Sequence, residues 1–213
     1  MNVGILGSGT VAQSLGAGFL ARGDSVMLGT RDVAKLSQWQ QQAGASASVG
    51  SFGEAARFGE IVVLATHGMV TPGLLQDLGA EPFDGKTVID ATNAIGQGKD
   101  GPVWAIGFSD SLGEQNQRAI PGARVVKAFN TVGAEFMVKP KFENGPGDMF
   151  MAGDDVPAKA QVAEIVRAFG WHVADIGGIE AARLLEPMAM VWIEYGRRTG
   201  RFDHAFKFIH AAT

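Results

Sequence analysis

Near the N-terminus, Val3-Gly4-Ile5-Leu6 runs into Gly7-Ser8-Gly9-Thr10-Val11-Ala12. An aliphatic, β-branched run breaks at Gly7, turns through Gly9, and passes into a helical pattern that begins at Thr10. The stretch reads as strand, glycine turn and helix. Gly7 permits the tight turn, Gly9 lets backbone N–H groups approach a pyrophosphate without an intervening Cβ, and Ala12 keeps the helix close to the strand. The helix N-terminus adds partial positive charge where an anion would sit. Glycine turns of this kind also arise from packing alone, so the rest of the chain has to supply the context.

Downstream, strand and helix patterns alternate. A first helix spans about Thr10 to Arg22, with Val11, Leu15 and Phe19 on one stripe. A strand over Ser25–Gly29 leads to a helix that Asp32 caps and that runs through Trp39. A short strand near Ala47–Gly50 precedes a helix opened by Ser51 and Glu54 as a capping box. Ile61 to Ala65 is the continuous apolar run expected of a strand covered on both faces. Thr71 and Pro72 read as N-cap and first residue of the next helix. Thr87–Ala91 is a further strand, followed by a glycine-rich loop to about Phe108, a helix from Ser111 and Glu114 to Ile120, and a sixth strand over Arg124–Ala128. The pattern predicts an α/β fold, a Rossmann-type doubly wound parallel sheet.

After Phe129 the rhythm changes. The expected order is an irregular loop over 138–146, a strand over 148–152, a helix over 154–169, a strand over 171–175 and a long helix over 179–198 kinked at Pro187. A last short helix is expected over Asp203–His210. The chain therefore divides into a dinucleotide-binding part, 1–137, and a small C-terminal helical or α+β segment, 138–213, packed on it.

Composition narrows the function. The 213 residues carry a net charge of −4, which offers no general field for nucleic acid or an anionic membrane surface. There is no cysteine, which excludes disulfides, thiolate metal sites and thiol nucleophiles. The four histidines, His67, His172, His204 and His210, lack metal-ligand spacing, so no metal site is expected. No signal pattern and no apolar run near the ~20 residues of a membrane span occur, and a cytoplasmic protein is the expectation.

Cofactor preference is read at the end of the second strand. An acidic residue there serves a ribose 2′-OH, whereas an arginine suits a 2′-phosphate. Thr30 stands at the acid's usual position, Arg31 follows, and Lys35 lies one turn on, a set that suits a dianionic phosphate and hence NADP(H). The alternative is that Arg31 is a solvated surface charge and Asp32 serves the ribose. Ligands of such sheets bind beyond the carboxyl ends of the strands. Ala65, Thr66 and His67 after the fourth strand, Asn93 after the fifth and Asn130 after the sixth are therefore candidate contacts to the nicotinamide half. Each has a plain reading too, His67 as a loop histidine and the asparagines as turn stabilisers. The sole tyrosine, Tyr195, has no lysine four residues on, so there is no Tyr-Lys acid/base pair. No nucleophile elbow, Walker sequence or paired carboxylates appear.

Several motifs together resemble the NADPH-dependent coenzyme F420 reductase family and its relative, the oxidoreductase domain of the STEAP metalloreductases. They are Ile5 to Ala12, Gly29-Thr30-Arg31, Asp90-Ala91-Thr92-Asn93, Val126 to Thr131, Met151 to Asp155, and Leu184-Leu185-Glu186-Pro187-Met188-Ala189. The resemblance implies direct hydride transfer between NADPH and a flat acceptor, usually a 5-deazaflavin (coenzyme F420), with no catalytic acid, base or nucleophile from the protein. It implies that Gly7, Ser8, Gly9, Thr10 and Val11 hold the pyrophosphate, that Thr30, Arg31 and Lys35 hold the 2′-phosphate, and that His67, Asn93 and Asn130 lie near the nicotinamide. The segment from Gly200 to Phe208 resembles the part that lies near the deazaflavin, and Arg197, Arg198, Arg201 and Lys207 are candidates for an anionic acceptor tail. For Arg197 and Arg198 the plain reading is complementation of a helix C-terminus. Other readings are a flavin or ferric reductase of the same family and an NADP-binding redox sensor without turnover. A small-molecule electron acceptor is the expected partner, and the apolar face of the 179–198 helix leaves a homodimer open.

Overall fold

The computed structural model describes residues 1–99 and 101–211. An eight-stranded sheet organises it, in the order β10-β9-β8-β5-β4-β1-β2-β3. The strands are β1 (Asn2–Leu6), β2 (Ser25–Gly29), β3 (Ala47–Gly50), β4 (Ile61–Leu64), β5 (Thr87–Asp90), β8 (Arg124–Lys127), β9 (Asp148–Gly153) and β10 (His172–Asp175). Every neighbouring pair is parallel except β8–β9. The strand order reverses between β1 and β4, which opens a crevice at their carboxyl ends. β1 beyond Asn2, β4 and β5 are buried without alternation because both faces are covered, and Ile5, Val62, Val63 and Ile89 are wholly buried.

One face packs on α1 (Thr10–Ala21) and α6 (Val156–Ala168), where Phe19, Phe129 and Phe169 form an aromatic cluster with centroids 5.1 and 5.8 Å apart. The other face carries α3 (Phe52–Phe58), α4 (Thr71–Leu78) and α5 (Leu112–Ala119), which bury Ala55, Leu75, Phe83 and Ile120. α7 (Ala182–Thr199) packs Leu185 against Phe150 and Ala152 of β9, the first strand beyond the antiparallel step. The Ser51–Glu54 capping box forms in full, and Ser111 caps α5 through the Glu114 amide.

Four expected elements differ. Asp32 caps a 3₁₀ turn over Val33–Leu36, and the α-helix, α2 (Ser37–Ala43), begins only after it, so the helical stretch ends past Trp39. At α4 the N-cap is Val70, and the Thr71 hydroxyl bonds back to the His67 carbonyl instead of capping. The glycine-rich loop contains a hairpin, β6 (Ile95–Gly98) with β7 (Gly101–Trp104). No helix forms over 203–210. There the Phe206 carbonyl accepts from the Asp148 amide, the Phe208 amide donates to the Asp148 carboxylate, and both phenyl rings meet Phe150 edge-on. Two residues two apart on one face are an extended pattern, and their backbone groups are committed to β9.

Candidate functional site

A crevice of about 700 Å³ opens at the carboxyl ends of β1, β2 and β4. On one side the turn Gly7-Ser8-Gly9 leads into α1. Gly7 has φ +154°, and a Cβ there would run into the Ala65 carbonyl, so the first glycine is required by the close approach of two strand ends. Gly9 is the N-cap of α1, makes no side-chain cap, and has open space where a Cβ would stand. The amides at the start of a 12-residue helix are thus left without a side-chain acceptor. Thr10 and Val11 are the first two helical residues and do not line the crevice, and the Val11 side chain packs on the core.

Thr30, Arg31, Asp32 and Lys35 line the next stretch. Thr30 is buried, and its hydroxyl accepts from the Asp32 amide at 3.2 Å. Asp32 turns one carboxylate oxygen to the Ala34 amide as a cap, 3.1 Å away. Arg31 and Lys35 are exposed, and neither has an ion-pair partner among the described residues. Two unpaired cations, a hydroxyl and a capless helix N-terminus along one crevice make a site that suits a polyanion. The opposite wall is largely apolar, with Phe52 from α3 and Met69, Val70 and Leu74 from the β4–α4 turn and α4, and Asp77 at its edge. These wall residues carry no motif in the sequence. The signal that finds Met69, Val70 and Leu74 is their place on the turn and helix following β4, the strand at the topological switch, whereas Phe52 comes from α3 after the edge strand β3.

Ala65, Thr66 and His67 line the crevice. The turn is tied from behind, with the Thr66 and Thr71 hydroxyls 2.7 Å apart and the His67 carbonyl accepting from Thr71. The His67 ring is left exposed.

Asn93 and Asn130 do not line the crevice. They bond each other: Asn93 Nδ2 donates to the Asn130 carbonyl at 2.8 Å, and Asn130 Nδ2 donates to Asn93 Oδ1 at 3.1 Å and to the Leu185 carbonyl of α7 at 2.9 Å. Asn130 is 3% exposed, and its Oδ1 has no partner. The pair adjoins the crevice through Gly68, where a Cβ would enter the Asn93 carbonyl.

Beneath that pair lies a group absent from the expected site. Lys127, Asp90 and Glu186 are wholly buried. Lys127 Nζ stands 2.8 Å from Asp90 Oδ2, 2.7 Å from Glu186 Oε1 and 2.9 Å from the Thr92 carbonyl, which uses all three of its donors. Asp90 also accepts from the Thr92 amide and hydroxyl and from Asn116 Nδ2. Glu186 accepts from the amides of Leu112 and Gly113, the first two residues of α5. Two carboxylates against one ammonium leave one negative charge, and the positive end of α5 faces it. Burial works against the charged form of Lys127, but the two carboxylates outweigh it and hold the ammonium above the ordinary lysine value. The neighbouring backbone is constrained as well: Phe129 has φ +65°, a left-handed conformation rare for a bulky residue. The signal available in the sequence is that Asp90 and Lys127, opposite in charge, each end a buried apolar strand, and the structure pairs them in register.

At the rim of this group Arg183 bonds both oxygens of Glu114, at 2.9 and 2.6 Å, which holds the Glu114 carboxyl below its ordinary range despite partial burial. The candidate acceptor cations are held by local surface contacts in this structure. Arg201 pairs with Asp203, Lys207 reaches the Asn144 carbonyl, and Arg197 and Arg198 meet Glu194. Among the described residues no helix is long and apolar enough to cross a membrane.

Comparison with known proteins places these features in company. A family model described as coenzyme F420-dependent NADP oxidoreductase matches residues 2–94. The crystal structure of a protein described as a candidate F420-dependent NADP reductase, from Arthrobacter sp. fb24, is 34% identical, covers 99% of this chain and 100% of its own, and superposes with a TM-score of 0.92. The hypothetical protein SMa0349 from Sinorhizobium meliloti is 26% identical over 87% of this chain and 89% of its own, with a TM-score of 0.73. The metalloreductase STEAP3 of Rattus norvegicus is 28% identical over 188 residues, which is 88% of this chain and 36% of that protein. The chain thus spans about a third of the length of that curated relative.

Proposed function

The chain belongs to the coenzyme F420-dependent NADP oxidoreductase family, and from that premise we propose that it moves a hydride between NADPH and a flavin-like acceptor, coenzyme F420 being the first choice. The observation that carries the reading is the crevice itself, which joins an uncapped helix N-terminus to two unpaired cations at the topological switch. The open space at Gly9 fits a pyrophosphate bound by backbone amides, here those of Ser8, Gly9, Thr10 and Val11. Thr30, Arg31 and Lys35 then hold the 2′-phosphate, and the preference for NADPH over NADH follows because the Asp32 carboxylate is drawn off as a cap. Phe52, Met69, Val70 and Leu74 receive the adenine face. Ala65, Thr66 and His67 carry the dinucleotide onward, and Asn93 and Asn130 stand at its nicotinamide end.

NADPH supplies the hydride, so no acid, base or nucleophile is required of the protein. Its residues align the donor and exclude water, and alignment of that kind is worth roughly 7–11 kcal/mol of a bimolecular barrier. Within the C-terminal segment, the described residues 138–211 form the covering side of the acceptor. The kinship with STEAP3 favours a second reading, reduction of a flavin or a ferric chelate.

Loss of nicotinamide absorbance, followed with F420, FMN and ferric chelate in separate assays, tests both. Oxidation with F420 at a kcat/KM well above the others is the expected result. Turnover confined to FMN or ferric chelate gives the second reading, and NADPH binding without oxidation by any acceptor turns the protein into a sensor.

A further inference from the structure

The structure assigns a positioning role to the buried cluster: Asp90, Lys127 and Glu186 set the nicotinamide end of the site by fixing the Thr92–Asn93 peptide against α7. The inference rests on the NADP reading of the crevice. Thr92 is held from both sides, its amide and hydroxyl by Asp90 at 2.9 and 2.6 Å and its carbonyl by Lys127 at 2.9 Å. The next residue is Asn93, whose carbonyl packs on Gly68 behind the His67 turn and whose side chain is locked to Asn130. Lys127 lies on β8 three residues before Asn130, with the left-handed Phe129 between them, so the strand end that carries Asn130 is anchored by the same ammonium. Glu186 brings in α7, whose preceding residue, Leu185, accepts from Asn130 Nδ2.

Adhesion alone does not require charge at this place. Apolar side chains of like volume would hold α7 to the sheet at least as well, because buried ion sets are often neutral or destabilising relative to them. What three charges with every strong donor and acceptor engaged provide is a single relative placement of β5, β8, α5 and α7. The residues so placed, Asn93 and Asn130, include the buried and unpartnered Asn130 Oδ1. The cluster acts through them and touches no ligand itself.

The test separates the two halves of the dinucleotide. Wild type, Glu186→Gln, Thr92→Val and Asn93→Ala are titrated calorimetrically with NADP⁺ and with adenosine 2′,5′-bisphosphate, and each is melted. Glu186→Gln and Thr92→Val leave the Lys127–Asp90 pair in place, so the fold does not hinge on either. The expected result is that wild type binds NADP⁺ more tightly than the bisphosphate, and that both cluster variants keep the bisphosphate affinity. They lose most of the nicotinamide increment, on the order of tenfold, as Asn93→Ala does. A lowered Tm with the wild-type ratio of the two affinities would make the cluster a purely structural brace and overturn the inference. Wild-type protein that binds neither probe overturns the NADP reading itself, and one that binds both equally removes the nicotinamide end.

Discussion

The two polar regions of this molecule share the carboxyl edge of one sheet and are built in opposite ways. At β1, β2 and β4 the charges are exposed and unpaired, and the helix that faces them has no side-chain cap. At β5, β8 and α7 three charges are wholly buried, and the helix that faces them is bonded by Glu186. The crevice leaves its fields open to something outside the chain. The cluster uses its fields up within the chain, so its service is to geometry. A helix N-terminus is thus read as a binding site or as a brace according to whether the chain itself supplies the anion.

The sharpest way to break the contrast is to remove one lysine from each region. Lys127→Met strands two buried carboxylates and should cost about 3–5 kcal/mol of stability. Lys35→Met removes an exposed cation and should stay within about 0.5 kcal/mol of wild type. Urea midpoints measure both. Similar losses would mean that the crevice cations also serve the fold.

Arg31→Ala ranks next and addresses what the open charges are for. It should weaken NADPH binding by roughly 1.5–3 kcal/mol, as expected for hydrogen bonds to a charged group, and barely change NADH binding. Equal losses for both cofactors would return Arg31 to the role of a solvated surface charge. A more local version is Gly9→Ala. Nothing lies within 4 Å of the new methyl, so the Tm should hold, while the methyl occupies the space assigned to the pyrophosphate. A loss of about tenfold in NADPH affinity, roughly 1.4 kcal/mol, is expected by titration. An unchanged affinity would move the pyrophosphate away from the glycine turn.

The two regions also differ in how far the sequence discloses them. The polar side of the crevice is built from near-adjacent residues, Gly7 to Gly9, Thr30 to Asp32 with Lys35, and Ala65 to His67, each at a strand end that an apolar run marks. Local pattern therefore finds it, as it finds the Ser51–Glu54 box and the β3 strand. Asp90, Lys127 and Glu186 are spread over almost a hundred residues, and each reads singly as the end of a strand or a point on a helix. Only the register of β5 against β8 and the docking of α7 bring them together. The tail after Gly200 was hidden for a related reason. Phe206 and Phe208 pair with β9 and Phe150, contacts that no helical or local propensity reports.

Between the open and the closed region stands the Glu114–Arg183 pair, partly exposed and joining α5 to α7 at the rim of the cluster. It offers the smallest and most graded test. Because Arg183 holds the folded-state pKa of Glu114 below its unfolded value of about 4.3, the pair's contribution is complete above that pH and is lost as pH falls through the lowered value. Comparing wild type with Glu114→Gln cancels the acid sensitivity of the carboxylates remote from the pair, leaving Glu180, which also bonds Arg183, and Asp110 as the neighbours that feel the change. The difference in Tm should be constant from about pH 7 to pH 5, no more than about 2–4 °C for a chain of this size, and should fade toward pH 3. A difference that persisted at pH 3 would show that Glu114 acts through its bond to the Ser111 hydroxyl, 2.8 Å away, rather than through its charge. The α5–α7 contact would then belong wholly with the buried brace, and charge at the rim would add nothing to it.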